Sequence, residues 1–157
     1  MKKFLLFAFA ATVFAQFSKA QSIYVELGGP GLASFNFDSR FSKTNGGFGG
    51  RAGIGGFSVD GSGVVFIPIG VNYLLGKDNR NYFEIGAGVT PVLGTGDLAG
   101  DNFTNTYGHL LFGYRMQPEN GGFTFRAFVC PVFGSGFFIP YYGGVSFGYK
   151  FGGGKGK

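Results

Sequence analysis

Eight charged side chains, Glu26, Asp38, Arg40, Arg51, Glu84, Arg115, Arg126 and Lys150, are the sharpest chemical feature of this 157-residue chain. Each falls at the same parity within a stretch where apolar and polar or small residues alternate, as in Val25-Glu26-Leu27, Phe83-Glu84-Ile85 and Phe125-Arg126-Ala127. Three carboxylates and five cations brought to one face have two uses. They pair into a plug that replaces an apolar core, or they line a gated polar path or anion site. Opposite charges about 4 Å apart attract by roughly 4 kcal/mol at an effective dielectric near 20, before desolvation is subtracted, and the plug is the expectation. His109, the only histidine, shares their parity and is expected to be a satisfied polar interior residue. Cys130, the only cysteine, has no partner for a disulfide or a metal site and is expected to be a buried, inert thiol. Gly94-Thr95-Gly96 and Gly47-Phe48-Gly49 open no helix, so neither makes a phosphate cradle. No catalytic residue, metal or cofactor is expected.

The elements that position these groups have a period of two. In 141–151, Val145, Phe147, Tyr149 and Phe151 are apolar, whereas Tyr142, Gly144, Ser146, Gly148 and Lys150 are small or polar. Such alternation makes a strand with two unlike faces. Eight such runs are predicted, over 22–29, 32–41, 47–57, 64–75, 82–93, 105–117, 123–133 and 141–151. Leu111 and Phe128 are the exceptions on otherwise polar faces. Turns at 42–46, 76–81 and 117–122 carry the Asn, Asp and Gly that tight turns need. The opposite ends are joined by 29–31, 58–63, 94–104 and 134–138.

Residues 1–20 have the form of a secretory signal peptide. Lys2 and Lys3 precede the apolar run 4–15, and Ser18-Lys19-Ala20 offers a cleavage site, with Val13-Phe14-Ala15 a second. Cleavage after Ala20 would leave residues 21–157 as one domain. It would also remove three lysines, so the formal charge would fall from +5 to +2. The remaining basic residues are dispersed, which excludes a nucleic-acid footprint. No segment beyond the leader has the roughly 18 consecutive apolar residues of a membrane helix.

The chain holds 22 phenylalanines and 32 glycines, and only 13% of its residues are charged. A soluble lipocalin-like carrier would turn the phenylalanine face inward, but that many rings overfill an eight-stranded interior. Turned outward, they form the continuous apolar band that lipid requires. Pro68, Pro91, Pro131 and Pro140 lie in or beside strand runs, where a missing N–H damages the ladder. With a periplasmic N-terminus all four fall toward the outer rim, and Pro30 lies in the first outer loop. Tyr73, Phe83, Tyr114, Phe123, Tyr149 and Phe151 then gather as an aromatic girdle at the periplasmic interface. The fold expected is an all-β, eight-stranded, antiparallel up-and-down transmembrane barrel with a side-chain-filled interior.

The final alternation ending in Tyr-Lys-Phe resembles the closing strand of bacterial outer-membrane barrels, whose terminal aromatic helps the assembly machinery recognise them. Here Gly152 and five further residues follow Phe151. Tyr24-Val25-Glu26-Leu27-Gly28-Gly29, Gly70-Val71-Asn72-Tyr73-Leu74-Leu75-Gly76-Lys77, Phe83-Glu84-Ile85-Gly86-Ala87-Gly88 and Gly113-Tyr114-Arg115 make the 21–157 region similar to small eight-stranded outer-membrane barrels, especially uncharacterised ones from Bacteroidetes. The resemblance implies a Gram-negative cell-outer-membrane location, with outer-membrane lipids and the barrel-assembly machinery as partners. It also implies a nonenzymatic role in envelope structure or surface interaction. The alternatives are a lipid-modifying enzyme centred on His109, as in barrel enzymes that pair a histidine with a serine, a narrow channel gated by interior charges, and a soluble carrier.

Overall fold

Alternation produces twelve strand segments in the computed structural model, which describes residues 21–42, 44–59, 62–95 and 106–152. They are β1 (Gln21–Gly28), β2 (Ala33–Arg40), β3 (Gly47–Val59), β4 (Ser62–Phe66), β5 (Ile69–Leu75), β6 (Asn81–Thr90) and β7 (Val92–Thr95), followed by β8 (Tyr107–Met116), β9 (Gly122–Val129), β10 (Val132–Gly134), β11 (Phe137–Ile139) and β12 (Gly143–Lys150). A short 3-10 turn, η1 (Gly29–Gly31), joins β1 to β2. The segments make eight staves, because β4 with β5, β6 with β7, β9 with β10 and β11 with β12 run on in line. Every stave pairs antiparallel with its neighbours in sequence. Pairing of β1 with β12, from Ser22 opposite Lys150 to Gly28 opposite Gly144, closes the sheet into a barrel.

The prolines explain why three predicted strands appear in pieces and why a separate segment precedes the fourth. Pro68, Pro91, Pro131 and Pro140 each stand in the gap between two segments of one stave, where the missing N–H interrupts the ladder. The ladder resumes on both sides, and neighbouring carbonyls remain engaged: Gly53 N–H donates to Pro68 O at 2.9 Å, Ile67 N–H to Pro91 O at 3.0 Å and Leu110 N–H to Pro131 O at 2.9 Å. The prolines therefore bend the staves short of their ends instead of terminating them. The predicted run 141–151 is β12, whereas the connection predicted at 134–138 is largely taken up by strand, β10 ending at Gly134 and β11 starting at Phe137, and the predicted strand 47–57 continues to Val59. The connection predicted at 29–31 is η1, and Pro30 is buried in it. The predicted signal peptide, residues 1–20, and residues 96–104 of the predicted 94–104 loop lie outside the described residues.

The register puts the apolar side chains outside. Val25, Leu27, Phe35, Ile54, Val71, Ile85, Phe112, Val129 and Phe147 all face away from the barrel and are exposed. This is the reverse of a soluble carrier. At the end that holds both chain ends, Phe48 and Tyr73 meet edge to face with ring centroids 4.7 Å apart, and Tyr149 and Phe151 do so at 5.7 Å. With Phe41, Phe83, Tyr114 and Phe123, all exposed, they form an aromatic ring around that end. No helix among the described residues is long and apolar enough to cross a membrane, which leaves crossing by strands open.

Candidate functional site

The interior is packed by an alternation across strands as well as along them. Large inward side chains stand opposite glycines: Tyr24 opposite Gly148, Arg40 opposite Gly49, His109 opposite Gly88 and Phe128 opposite Gly113. A Cβ at any of these glycines would overlap the facing side chain. Glycine abundance is thus the complement of the interior's large side chains, since an eight-stranded barrel has room for little else.

Seven of the eight charged residues singled out from the sequence form one alternating chain across the lumen. Arg51 Nη2 donates to Glu26 Oε1 at 2.8 Å, and Glu26 Oε2 lies 3.5 Å from Arg126 Nη1. Arg126 then grips Glu84 with two bonds, Nε to Oε2 at 2.9 Å and Nη2 to Oε1 at 2.7 Å. Glu84 Oε1 is 3.6 Å from Arg115 Nη1, and Arg115 donates through both terminal nitrogens to Asp38 at 3.1 Å. Asp38 also accepts from Arg40 at 2.6 Å. All seven side chains are buried. The eighth, Lys150, stands apart at the terminal end, where it donates to the carbonyls of Pro118 at 2.9 Å and Glu119 at 2.8 Å and to Asn45 Oδ1. Parity predicted its inward direction but not its separation from the network.

The sequence reasoning passed over Asn72, which joins the two halves of the chain. Its amide nitrogen donates to Asp38 Oδ2 at 2.7 Å and to Glu84 Oε1 at 2.8 Å, while its oxygen accepts from Arg40. Only its parity between Val71 and Tyr73 marked it. Tyr24 packs against the same network; its ring lies 4.7 Å from the Arg126 guanidinium carbon and 5.8 Å from that of Arg51. Each bridging carboxylate faces two guanidiniums, whose attraction offsets part of the desolvation cost of burying the charges.

His109 and Cys130 belong to a different layer. His109 is enclosed, with Nδ1 3.2 Å from Thr90 Oγ1. The two serines nearest in the sequence pattern do not partner it. Ser135 is in the turn between β10 and β11, and Ser146 pairs in register with Arg126 and Glu26. Cys130 is a fully buried free thiol, packed with Leu111, Phe128 and Val132. Leu111 and Phe128, the exceptions on the polar faces, therefore form an apolar layer above the charges, reaching toward the mouth opposite the chain ends. No group of three or more His, Cys, Asp or Glu among the described residues is placed to hold a metal.

Above that layer the mouth contains an apolar pocket of about 200 Å³. Phe66, Tyr107, Val132, Phe137, Ile139 and Tyr142 form its wall. Leu32 overhangs it with φ 59° and ψ −77°, near the strained γ-turn at about +75°, −65°. Gly28 N–H donates to Leu32 O at 2.6 Å, Leu32 N–H to Gly29 O at 3.2 Å, and the Tyr107 hydroxyl to Pro30 O. These bonds hold η1 folded into the mouth. Comparison with protein-family models, with curated proteins and with solved structures finds no match to this chain.

Proposed function

We propose that this chain is a nonenzymatic outer-membrane β-barrel of a Gram-negative envelope, with an envelope-structural or surface-interaction role. The observation that carries this reading is the inverted distribution of polarity. The outside of a closed barrel is a band of large apolar side chains ending in an aromatic ring, and the inside holds seven paired charges. Fully burying one such side chain is worth about 1.5–3 kcal/mol, so even partial transfer of the band into lipid amounts to tens of kcal/mol, on the order that only a bilayer supplies. Outer-membrane lipids are then the partners of the outer face, and the barrel-assembly machinery receives β12.

A filled lumen supports a structural or surface role over free diffusion. A histidine enclosed beside a threonine supports a packing role over hydrolysis. The deciding experiment is fractionation of cells, followed by electrophoresis of unheated and boiled samples. A mobility change in the outer-membrane fraction is expected, because a compact barrel resists detergent until boiled. A soluble product without that change would overturn the assignment. Unaltered lipid A mass spectra on replacing His109→Ala are expected, and an altered acylation pattern would move the enzyme to first place.

A further inference from the structure

The mouth breaks the rule by which the rest of the barrel is built. Toward the chain ends, inward positions carry mostly charges, amides and glycines; from the layer of Leu111, Phe128 and Cys130 up to the mouth they become mostly hydrocarbon. Tyr107 lies two residues before His109, Tyr142 two before Gly144, Val132 two after Cys130 and Phe66 two after Val64, so all four continue the inward parity. Ile139 pairs with Val132, and Phe137 with Gly134, on the same face. Yet Phe137 and Ile139 are exposed on the inward face of the sheet, and Leu32 is exposed beside them at the end of η1. An apolar surface that no other described residue covers, and that is turned away from the outer apolar band, is a mark of binding.

The pocket is also blind. The layer of Leu111, Phe128, Cys130 and Val132 lies beneath it, and the Arg126 guanidinium carbon is 5.5 Å from the Phe128 ring below that. η1 closes one side, since a Cβ on Gly29 would come within 2.8 Å of both the Phe128 ring and Glu26 Oε1. We infer that this mouth is a binding site for the hydrocarbon tail of a single-chain amphiphile, such as a free fatty acid, entering from the solvent at the end opposite the chain termini. The size sets the class: about 200 Å³ is less than the roughly 300–1,000 Å³ of sites that enclose drug-sized molecules. It accepts one tail, not a two-tailed lipid. The wall sets the orientation. The Tyr107 hydroxyl is already engaged with Pro30 O, and among the described residues no charged side chain lines the pocket, so the polar head remains outside. A ligand arriving through water needs only the open mouth, whereas a lipid of the surrounding bilayer would have to leave its leaflet. The pocket itself rests on the barrel and its inward parity, and the route of entry rests on the proposed membrane reading.

The chain has no tryptophan, which permits a clean test. Phe66→Trp places a single reporter in the pocket wall, and Phe133→Trp places one on the opposite, outward face of β10. Each protein is refolded in lipid nanodiscs and titrated with 12-bromododecanoic acid, whose bromine quenches indole. Saturable quenching at position 66 is expected, weakened at least ten-fold when Val132→Phe is added to fill the pocket. At position 133, quenching should rise without saturation as the acid partitions into lipid. Equal, unsaturable quenching at both positions would overturn the site, as would no quenching at position 66. Should the Val132→Phe protein lose its heat-dependent mobility, Ile139→Phe provides a second filling variant. Failure of fractionation alone would instead strike the membrane assignment and leave the pocket standing.

Discussion

At the residue scale, no member of the charge chain is spare. Removing Arg115 leaves Asp38 without two of its donors and takes away the link to Glu84. Breaking a buried pair by deleting one partner costs about 3–5 kcal/mol. Arg115→Met should therefore lower the denaturant midpoint of the lipid-reconstituted barrel by that order, without raising ion conductance. Unchanged stability with raised conductance would make the charges a gate. Glycine supplies the converse case. Gly148 faces Tyr24 across the β1 and β12 pair, where a Cβ has no room. Gly148→Val should abolish the compact unheated band, while Ser146→Ala, which removes a hydroxyl with no protein partner, should leave it intact. Leu32 tests strain: Leu32→Gly should raise stability by about 1–3 kcal/mol, read from the same midpoint, while weakening capture of the amphiphile tail.

At the element scale, the turns have their own electrostatics. Asp78, in the turn between β5 and β6, accepts from Asn81 Nδ2 at 2.6 Å, Asn81 N–H at 2.6 Å and Arg80 N–H at 3.0 Å. These bonds, the Asn81 amide first, hold its carboxyl down to about 2. Because the folded value lies below the unfolded one of about 3.9, the contribution of Asp78 is complete above that pH and is lost as pH falls toward 2. Amide exchange at Arg80 and Asn81 should accelerate through this window in the native chain, and Asp78→Asn should flatten the change. Strands, faces and turns were legible because a period of two needs only neighbours, and a wrong parity would place a guanidinium on the outer apolar face. The proline breaks were visible as residues but not as bends, since whether a ladder resumes beyond a proline depends on the strand beside it. Parity also marked all eight charges as inward. Which of them touch is a matter of stagger between staves, and so the isolation of Lys150 and the bridging by Asn72 emerged only in three dimensions. The mouth pocket was hidden because Phe66, Val132 and Ile139 look like lipid-facing residues until the closed sheet assigns their side.

At the scale of the whole molecule, Arg51 is on β3, Glu26 on β1, Arg126 on β9, Glu84 on β6, Arg115 on β8, and Asp38 and Arg40 on β2. Apart from Asp38 and Arg40, consecutive members of the chain lie on different staves, and Arg126 joins the late part of the sequence to Glu26 at its start. Unfolding followed by tyrosine fluorescence and by strand circular dichroism should therefore give coincident transitions; separated midpoints would show that part of the barrel holds its charges alone. The same arrangement acts on the way in. A partly built sheet has a concave face studded with unanswered guanidiniums and carboxylates, which draws water and resists entry into hydrocarbon. The meeting of β12 with β1 encloses that face. On the proposed membrane reading, closure would then act as a checkpoint: a chain truncated before Gly143 keeps most of its apolar band, and is expected to be missing from the outer-membrane fraction when cells are fractionated.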